Sequence, residues 1–300
     1  MPQKILITGG TGLVGSALIP MLKKQGHEIV VLSRTKAKNA SYEVFVWDYK
    51  KEYIEEGAFK GVDTVIHLAG AGVADSKWTT DRKDEIYNSR TKTSILLFRE
   101  LEKGGHQVKT FVAASAIGLY GNDTGNSIVT ETSPTGSDFL AHVTDAWETA
   151  TNKVKALDIR LVQLRVGVVL SKQGGALVEL LKPPVAAPLG KGEQYMSWIH
   201  MGDLCRMFIE AVENPTLEGA YNAVAPHPET NRNLTKKAAK AFKKTFLPIP
   251  VPSLVIKLML GEMAAIVLGG NRVSSAKIQR AGFNFRFPKL ERAVEDLGAL

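Results

Sequence analysis

The chain has 300 residues, 44% hydrophobic and 23% charged, with 38 Lys and Arg against 30 Asp and Glu for a formal charge of +8. That balance excludes a disordered, collagenous or disulfide-stapled chain and leaves ample length to bury a core. A sequence pI of 9.4 raises nucleic acid or an anionic membrane as partners, and the position of the charge decides whether to accept either.

Residues 4–8 read as a strand, a glycine-rich turn follows, and residues 14–25 read as a helix. The uncharged run over residues 5–22 is long enough for a membrane span. Its dense cluster of Gly9, Gly10, Gly12 and Gly15, with Thr8, Thr11 and Pro20, suits a strand, a turn and a helix instead. A signal peptide is not expected, because the positive n-region is one lysine and no small-residue cleavage site follows. Further strands are predicted over residues 29–33, 44–47, 64–68, 110–114 and 161–166, with helices over 83–104 and 137–157. Continuous apolar strands alternating with helices argue for a parallel sheet covered on both faces. After about residue 165 the texture changes, with Gly174–Gly175, Pro183–Pro184 and residues 188–192 marking loops. Residues 219–224 read as one more strand, and residues 283–287 as a short one. The apolar stretch 250–270 carries Lys257 and Glu262, which fits a buried or amphipathic helix.

The strongest signal is the run from Ile5 to Ser16, in which Gly9, Gly12 and Gly15 recur every third residue. Gly10, Gly12 and Gly15 also satisfy G-x-G-x-x-G. One glycine permits the turn, one lets backbone approach a pyrophosphate, and one lets helix pack on strand. The phosphate then meets free N–H groups at a helix N-terminus. A cofactor without a 2′-phosphate meets an acid about 20 residues past such a loop. Here the second strand ends Leu32-Ser33-Arg34 with no acid, and Glu28 lies at its wrong end. A hydroxyl and a guanidinium suit a 2′-phosphate, so NADP(H) is the expected cofactor. The bland alternative for Arg34 is a solvated side chain at a turn. The expected fold class is α/β: a Rossmann-type doubly wound parallel sheet over residues 1–225, with an excursion at about 170–200. A smaller, mostly helical C-terminal lobe takes residues 226–300.

With these residues in hand, the chain resembles the extended short-chain dehydrogenase/reductases, and within them the atypical "epimerase family" proteins ending in a DUF1731 domain. The segments that carry the resemblance run from end to end. They include Thr8–Gly15, His67-Leu-Ala-Gly70, Ser89-Arg90 with Thr93, Ser115-Ala-Ile-Gly-Leu-Tyr-Gly121, Arg165–Leu170, Trp198–Asp203, Tyr221–Pro226 and Ala281–Pro288. The resemblance implies that Thr11, Gly12, Leu13 and Val14 lie on the pyrophosphate, with Gly9 and Gly15 in the same cofactor-binding loop and Ser33 and Arg34 on the 2′-phosphate. It also implies that Leu68, Ala69 and Gly70 pass the nicotinamide-side ribose, that Glu85 and Arg90 lie around the cofactor, and that Val169 lies near the nicotinamide. Conventional members use a Tyr-x-x-x-Lys pair for proton transfer. No tyrosine of this chain has a lysine four residues later. Aligning the helix on Glu148 puts Leu140 and Thr144 at those two positions, a departure the atypical proteins share. Residues 140, 143, 147, 150, 154 and 157 instead form a core-facing apolar stripe. Ser115 stands at the usual serine position, and Ser115 with Tyr120 are the candidates for proton work. His142, Asp145 and His200 are weaker ones with ordinary structural explanations.

Scattered histidines and the single Cys205 show no metal-ligand spacing, and one cysteine cannot form an intrachain disulfide. The densest basic cluster, Lys236, Lys237, Lys240, Lys243 and Lys244, has helical spacing without stacking aromatics, which fits a solvated helix better than a nucleic-acid surface. The expected protein is cytoplasmic, with a small-molecule partner, no nucleic acid, no membrane, and a homodimer left open. Its expected activity is that of an oxidoreductase or epimerase on a small polar, nucleotide-sugar-like substrate. The alternative is a non-catalytic NADPH-binding sensor or regulator.

Overall fold

The computed structural model describes residues 1–36 and 41–299. Eight strands build one sheet: β1 (Lys4–Thr8), β2 (Glu28–Ser33), β3 (Glu43–Asp48), β4 (Tyr53–Ile54), β5 (Thr64–His67), β6 (Thr110–Ala116), β7 (Arg160–Val166) and β8 (Gly219–Ala223). Their order is β8-β7-β6-β5-β1-β2-β3-β4, parallel throughout except for the antiparallel β3–β4 pair at one edge. The chain therefore reverses direction of travel between β1 and β5, and the carboxyl ends of those two strands flank the switch point, where such sheets bind ligands.

Side-chain alternation explains the layers. Ile5 and Ile7 of β1 join Leu18, Ile19 and Leu22 of α1 (Leu13–Lys24) on one face, whereas Leu6 between them joins Leu96, Leu97 and Leu101 of α2 (Thr80–Glu102) on the other. The α2 face is shared with α3 (Phe139–Asn152), whose Val143, Trp147 and Ala150 are buried as the stripe predicts, followed by Val154 in a 3-10 turn. The short α4 (Ala176–Leu181) precedes α5 (Met201–Glu213), which packs beside α1 through Leu204, Cys205, Phe208 and Val212. The sequence reading did not foresee α5.

Beyond β8 the chain is mostly helical: α6 (Asn231–Ala241), α7 (Ser253–Leu260), α8 (Ala264–Leu268), α9 (Ala276–Arg280) and α10 (Leu290–Gly298). A separate core of Leu177, Trp198, Leu234, Ala238, Leu290 and Val294 lies beneath them. Two expectations change here. Residues 283–287 form no strand, because the Arg286 and Phe287 amides donate to the buried Asp203 carboxylate at 2.9 and 2.8 Å. The apolar stretch 250–270 does hold helices, yet α7 buries only Ile256, while Leu254, Leu258 and Met259 are 69%, 75% and 65% exposed.

Candidate functional site

The turn after β1 is built as its glycines require. Gly9 has φ +70°, a conformation that disfavours side chains, and a Cβ there would lie 2.9 Å from the Leu68 carbonyl carbon. Gly9 therefore lets the loops after β1 and β5 touch. The Gly12 amide donates to the Gly9 carbonyl at 3.0 Å, closing the turn. A Cβ on Gly15 would overlap the Gly9 carbonyl oxygen and sit 2.6 Å from Gly10 Cα, so only glycine lets α1 start this close to β1. Gly12 is the N-cap of α1, without a side-chain cap and without an acid in the first turn. Thr11 and Gly12 are exposed and Leu13 and Val14 half-buried, so the uncapped amide end of α1 faces outward.

The neighbouring loop is braced by side chains. Thr8 Oγ1 accepts from the amides of Leu68 and Ala69 at 3.2 and 3.1 Å, and lies 2.7 Å from His67 Nδ1. His67 Nε2 lies 3.1 Å from Ser94 Oγ on α2. Ser89 Oγ accepts from the Ala71 amide at 2.9 Å. The fully buried His67 thus ties β1 and β5 to α2, and burial, then the Arg90 charge, lowers its pKa to about 3. An imidazole held neutral in the fold but protonated near 6.5 when unfolded makes the unfolded state bind more protons between those values. Its contribution to stability is full above pH 6.5 and is lost as pH falls towards 3. Denaturant titrations should show this decline, and His67→Gln should flatten it.

Arg90 packs against this loop, where a Cβ on Gly70 would lie 3.1 Å from the Arg90 guanidinium carbon. The guanidinium also lies over Trp147 at 5.2 Å and donates to the Ile86 carbonyl at 2.9 Å. Among the described residues no carboxylate pairs with it within 4.0 Å; Asp75 acts on its charge from farther away but is engaged by Arg82. Burial, then the nearby Arg82 charge, lowers its pKa to about 10, leaving it charged at neutral pH. Glu85, five residues before Arg90 and on an adjoining face of α2, is exposed and pairs with Arg82 at 2.6 Å. Arg82 also reaches Asp75 at 3.1 Å and the Gly72 carbonyl, clasping the loop after β5 to the start of α2. Sequence reasoning missed this clasp, for which the i,i+3 spacing of Arg82 and Glu85 was the available signal.

At the end of β2, Ser33 is half-buried and Arg34 exposed, and no acid stands beside them in the chain. Val169 lies in the short strand Val168–Leu170, parallel to Trp198–His200. Gly174 and Gly175 follow it, close enough that a Cβ on either would lie 3.6 and 3.5 Å from the Leu13 methyls. The glycine loop, the β2 end, the loop after β5, Arg90 and the Val169 segment all belong to the carboxyl edge of the sheet. An uncapped helix start, a cradle that a Cβ would fill, and cations without acids fit a dinucleotide carrying several phosphate charges.

Ser115 and Tyr120 lie together, but not free. The Ser115 hydroxyl donates to Glu148 Oε1 at 2.6 Å. Arg165 grips both Glu148 oxygens at 2.8 and 2.9 Å and donates to Tyr120 Oη at 2.9 Å. Tyr120 Oη in turn donates to Asn222 Oδ1 at 2.6 Å. Burial raises the Tyr120 pKa, with Arg165 opposing. Leu140 and Thr144 are one turn apart on α3, where the Thr144 hydroxyl donates back to the Leu140 carbonyl at 2.8 Å. His142 and Asp145 are exposed, and His200 caps α5 by accepting the Gly202 amide at 3.0 Å. Burial pushes the Cys205 thiol up to about 12, which makes it unreactive. Among the described residues no cluster of three or more metal-ligating side chains occurs, and no helix is long and apolar enough to cross a membrane.

A glycine turn at the switch point of a doubly wound parallel sheet defines the Rossmann-type class of dinucleotide-binding folds. Residues 5–224 match the model of the NAD dependent epimerase/dehydratase family, and residues 251–297 match a domain of unknown function, DUF1731. The chain belongs to the NAD dependent epimerase/dehydratase family. It is 32% identical over 306 residues to epimerase family protein YfhF of Bacillus subtilis, covering 98% of each chain. Epimerase family protein SAR0825 of Staphylococcus aureus is 33% identical over 298 residues, covering 98% of this chain and 99% of its own. Among solved structures, human epimerase family protein SDR39U1 with NADPH superposes with a TM-score of 0.89 at 28% identity, over 99% of both chains. A nucleoside-diphosphate sugar epimerase from Corynebacterium glutamicum superposes with a TM-score of 0.79 at 31% identity; the chain is covered in full and spans 59% of that protein.

Proposed function

We propose that this protein is an NADP(H)-dependent oxidoreductase or epimerase acting on a small polar substrate of the nucleotide-sugar kind. The observation that carries the cofactor preference is the end of β2, where Ser33 and Arg34 stand without an acid. A carboxylate there would accept from a ribose 2′-hydroxyl and repel a 2′-phosphate, whereas Arg34 attracts the phosphate. The NADPH bound to the human relative supports the same choice, and the sugar-nucleotide epimerase of C. glutamicum supports the substrate class. Bound NADP(H) supplies hydride chemistry. The chain's part is to hold it: the α1 amides meet the pyrophosphate, residues 68–70 line the nicotinamide side, and Val169 is an apolar wall near it. Arg90 supplies positive charge around the cofactor, and Glu85 acts through Arg82. A cytoplasmic setting belongs to this reading.

Arg34→Ala should weaken NADPH binding about 10- to 100-fold, the worth of a charge-assisted contact, and leave NADH binding nearly unchanged. Calorimetric titration of both nucleotides reads this directly. NADPH consumption across a panel of carbonyls and nucleotide sugars tests the activity, and the expected result is turnover on at least one of them.

A second reading, a non-catalytic NADPH-binding regulator, draws on the hydroxyls of Ser115 and Tyr120. Both are committed to Glu148 and Asn222, so a role in proton transfer would require breaking a buried bond. We read them as positioning residues for the sheet edge. Tyr120→Phe keeps the ring and removes the hydroxyl. If the residue positions, turnover falls less than about threefold, whereas loss of a proton donor would cost about 100-fold or more. Tight NADPH binding without turnover on any substrate would favour the regulator.

A further inference from the structure

The carboxyl-terminal part of the molecule presents an aliphatic face that none of the described residues covers. On α7, Ile256 points inward, and the opposite side of the helix carries Leu254 and Leu258, with Met259 beside them. The strap that enters α7 alternates proline with apolar residues, and its Leu247 and Ile249 are exposed as well. This strap is held from behind. Val185–Ala186 pairs with Thr245–Phe246, Leu189 bridges to Val251, and Arg232 donates to the Pro248 carbonyl at 2.8 Å. Gly190 abuts Ser253, so the Lys191 backbone sits at the start of α7.

Two cations without acid partners border the same face. Lys191 and Lys257 are exposed, and neither has a carboxylate within 4.0 Å among the described residues. Lys257 flanks the Leu254–Leu258 crest, where a long stem can lie along an apolar layer while its ammonium reaches the polar side.

We propose that this face rests on an anionic lipid surface, with the α7 crest and the proline strap entering the headgroup–acyl boundary and the surrounding lysines meeting lipid phosphates. The eight residues of α7 are too few to span a bilayer, so the helix lies on it. A second copy of the chain is disfavoured because it would bring the unpaired lysines of two like faces together. Protein hot spots are rich in Trp, Tyr and Arg, whereas this crest is Leu, Met, Ile and Val, a composition suited to lipid.

Sedimentation of the full chain with vesicles tests the assignment, comparing phosphatidylcholine alone with phosphatidylcholine mixed with phosphatidylglycerol. The protein should sediment with the anionic vesicles only, and less as salt rises. Leu254→Glu and Leu258→Glu should each reduce sedimentation at least about tenfold without changing the melting temperature, since both side chains are exposed. Lys257→Glu should weaken binding to the anionic vesicles. Absence of sedimentation with either vesicle would overturn the proposal, as would Leu258→Glu sedimenting like the parent. A lipid-free dimer that Leu258→Glu dissolves, with no vesicle binding, would assign the face to a second copy and overturn it equally.

Discussion

Arg165→Met is expected to destabilise the fold by about 3–5 kcal/mol, because it leaves the Glu148 carboxylate buried without its cation. Arg165 and Glu148 are 8% and 9% exposed and joined by two bonds of 2.8 and 2.9 Å. The same guanidinium also donates to Tyr120 and to the Glu131 carbonyl, so its loss unbinds β7 from the loop after β6 and from the 131 segment. Replacing both partners removes the stranded charge. Glu148→Met with Arg165→Met should therefore be more stable than Arg165→Met alone by at least about 1 kcal/mol. Denaturant titration of the single and double variants measures this, and a double variant less stable than Arg165→Met would contradict it.

Gly15→Ala should lower the melting temperature and weaken NADPH binding at least about 100-fold, a loss near 2.7 kcal/mol. The new methyl would meet only backbone, the Gly9 carbonyl and Gly10 Cα, neither of which can swing aside. Helix α1 must then move away from β1, and its amide end moves with it. Gly12→Ala separates the two effects. Its Cβ would lie 3.2 Å from the Gly9 carbonyl oxygen alone, a tight contact that costs the fold less than the overlap in Gly15→Ala, while the methyl projects into the proposed path of the pyrophosphate. NADPH titration together with thermal melts should find both properties strongly damaged in Gly15→Ala and binding damaged more than stability in Gly12→Ala.

The parts of the molecule set by local rules were legible in the sequence. The run from Lys4 to Thr8 is apolar on both faces because helices cover both, and its bounds agree with the strand observed. The stripe on α3 emerged from spacing alone, as did the turn at Gly9, Gly12 and Gly15. The remainder depends on partners distant in the chain. Ser115 stands at the end of β6, but its hydroxyl is engaged by Glu148 on α3, 33 residues later, and no local pattern carries that pairing. Residues 283–287 alternate like a strand, yet their amides are taken by Asp203, some 80 residues earlier. The exposure of α7 was illegible for the same reason: an apolar helix looks alike in sequence whether or not another element covers it.

The basic pI also resolves into two parts. Arg34 and Arg90 lie at the carboxyl edge of the sheet, and a larger excess lies in residues 182–193 and 229–262, with nine Lys or Arg against three Glu. The first part bears on the cofactor, and a side-by-side calorimetric titration with NADPH and NADH reads it. NADPH should bind tighter by at least about tenfold, a gap of about 1.4 kcal/mol or more. Equal affinities, or a preference for NADH, would contradict it.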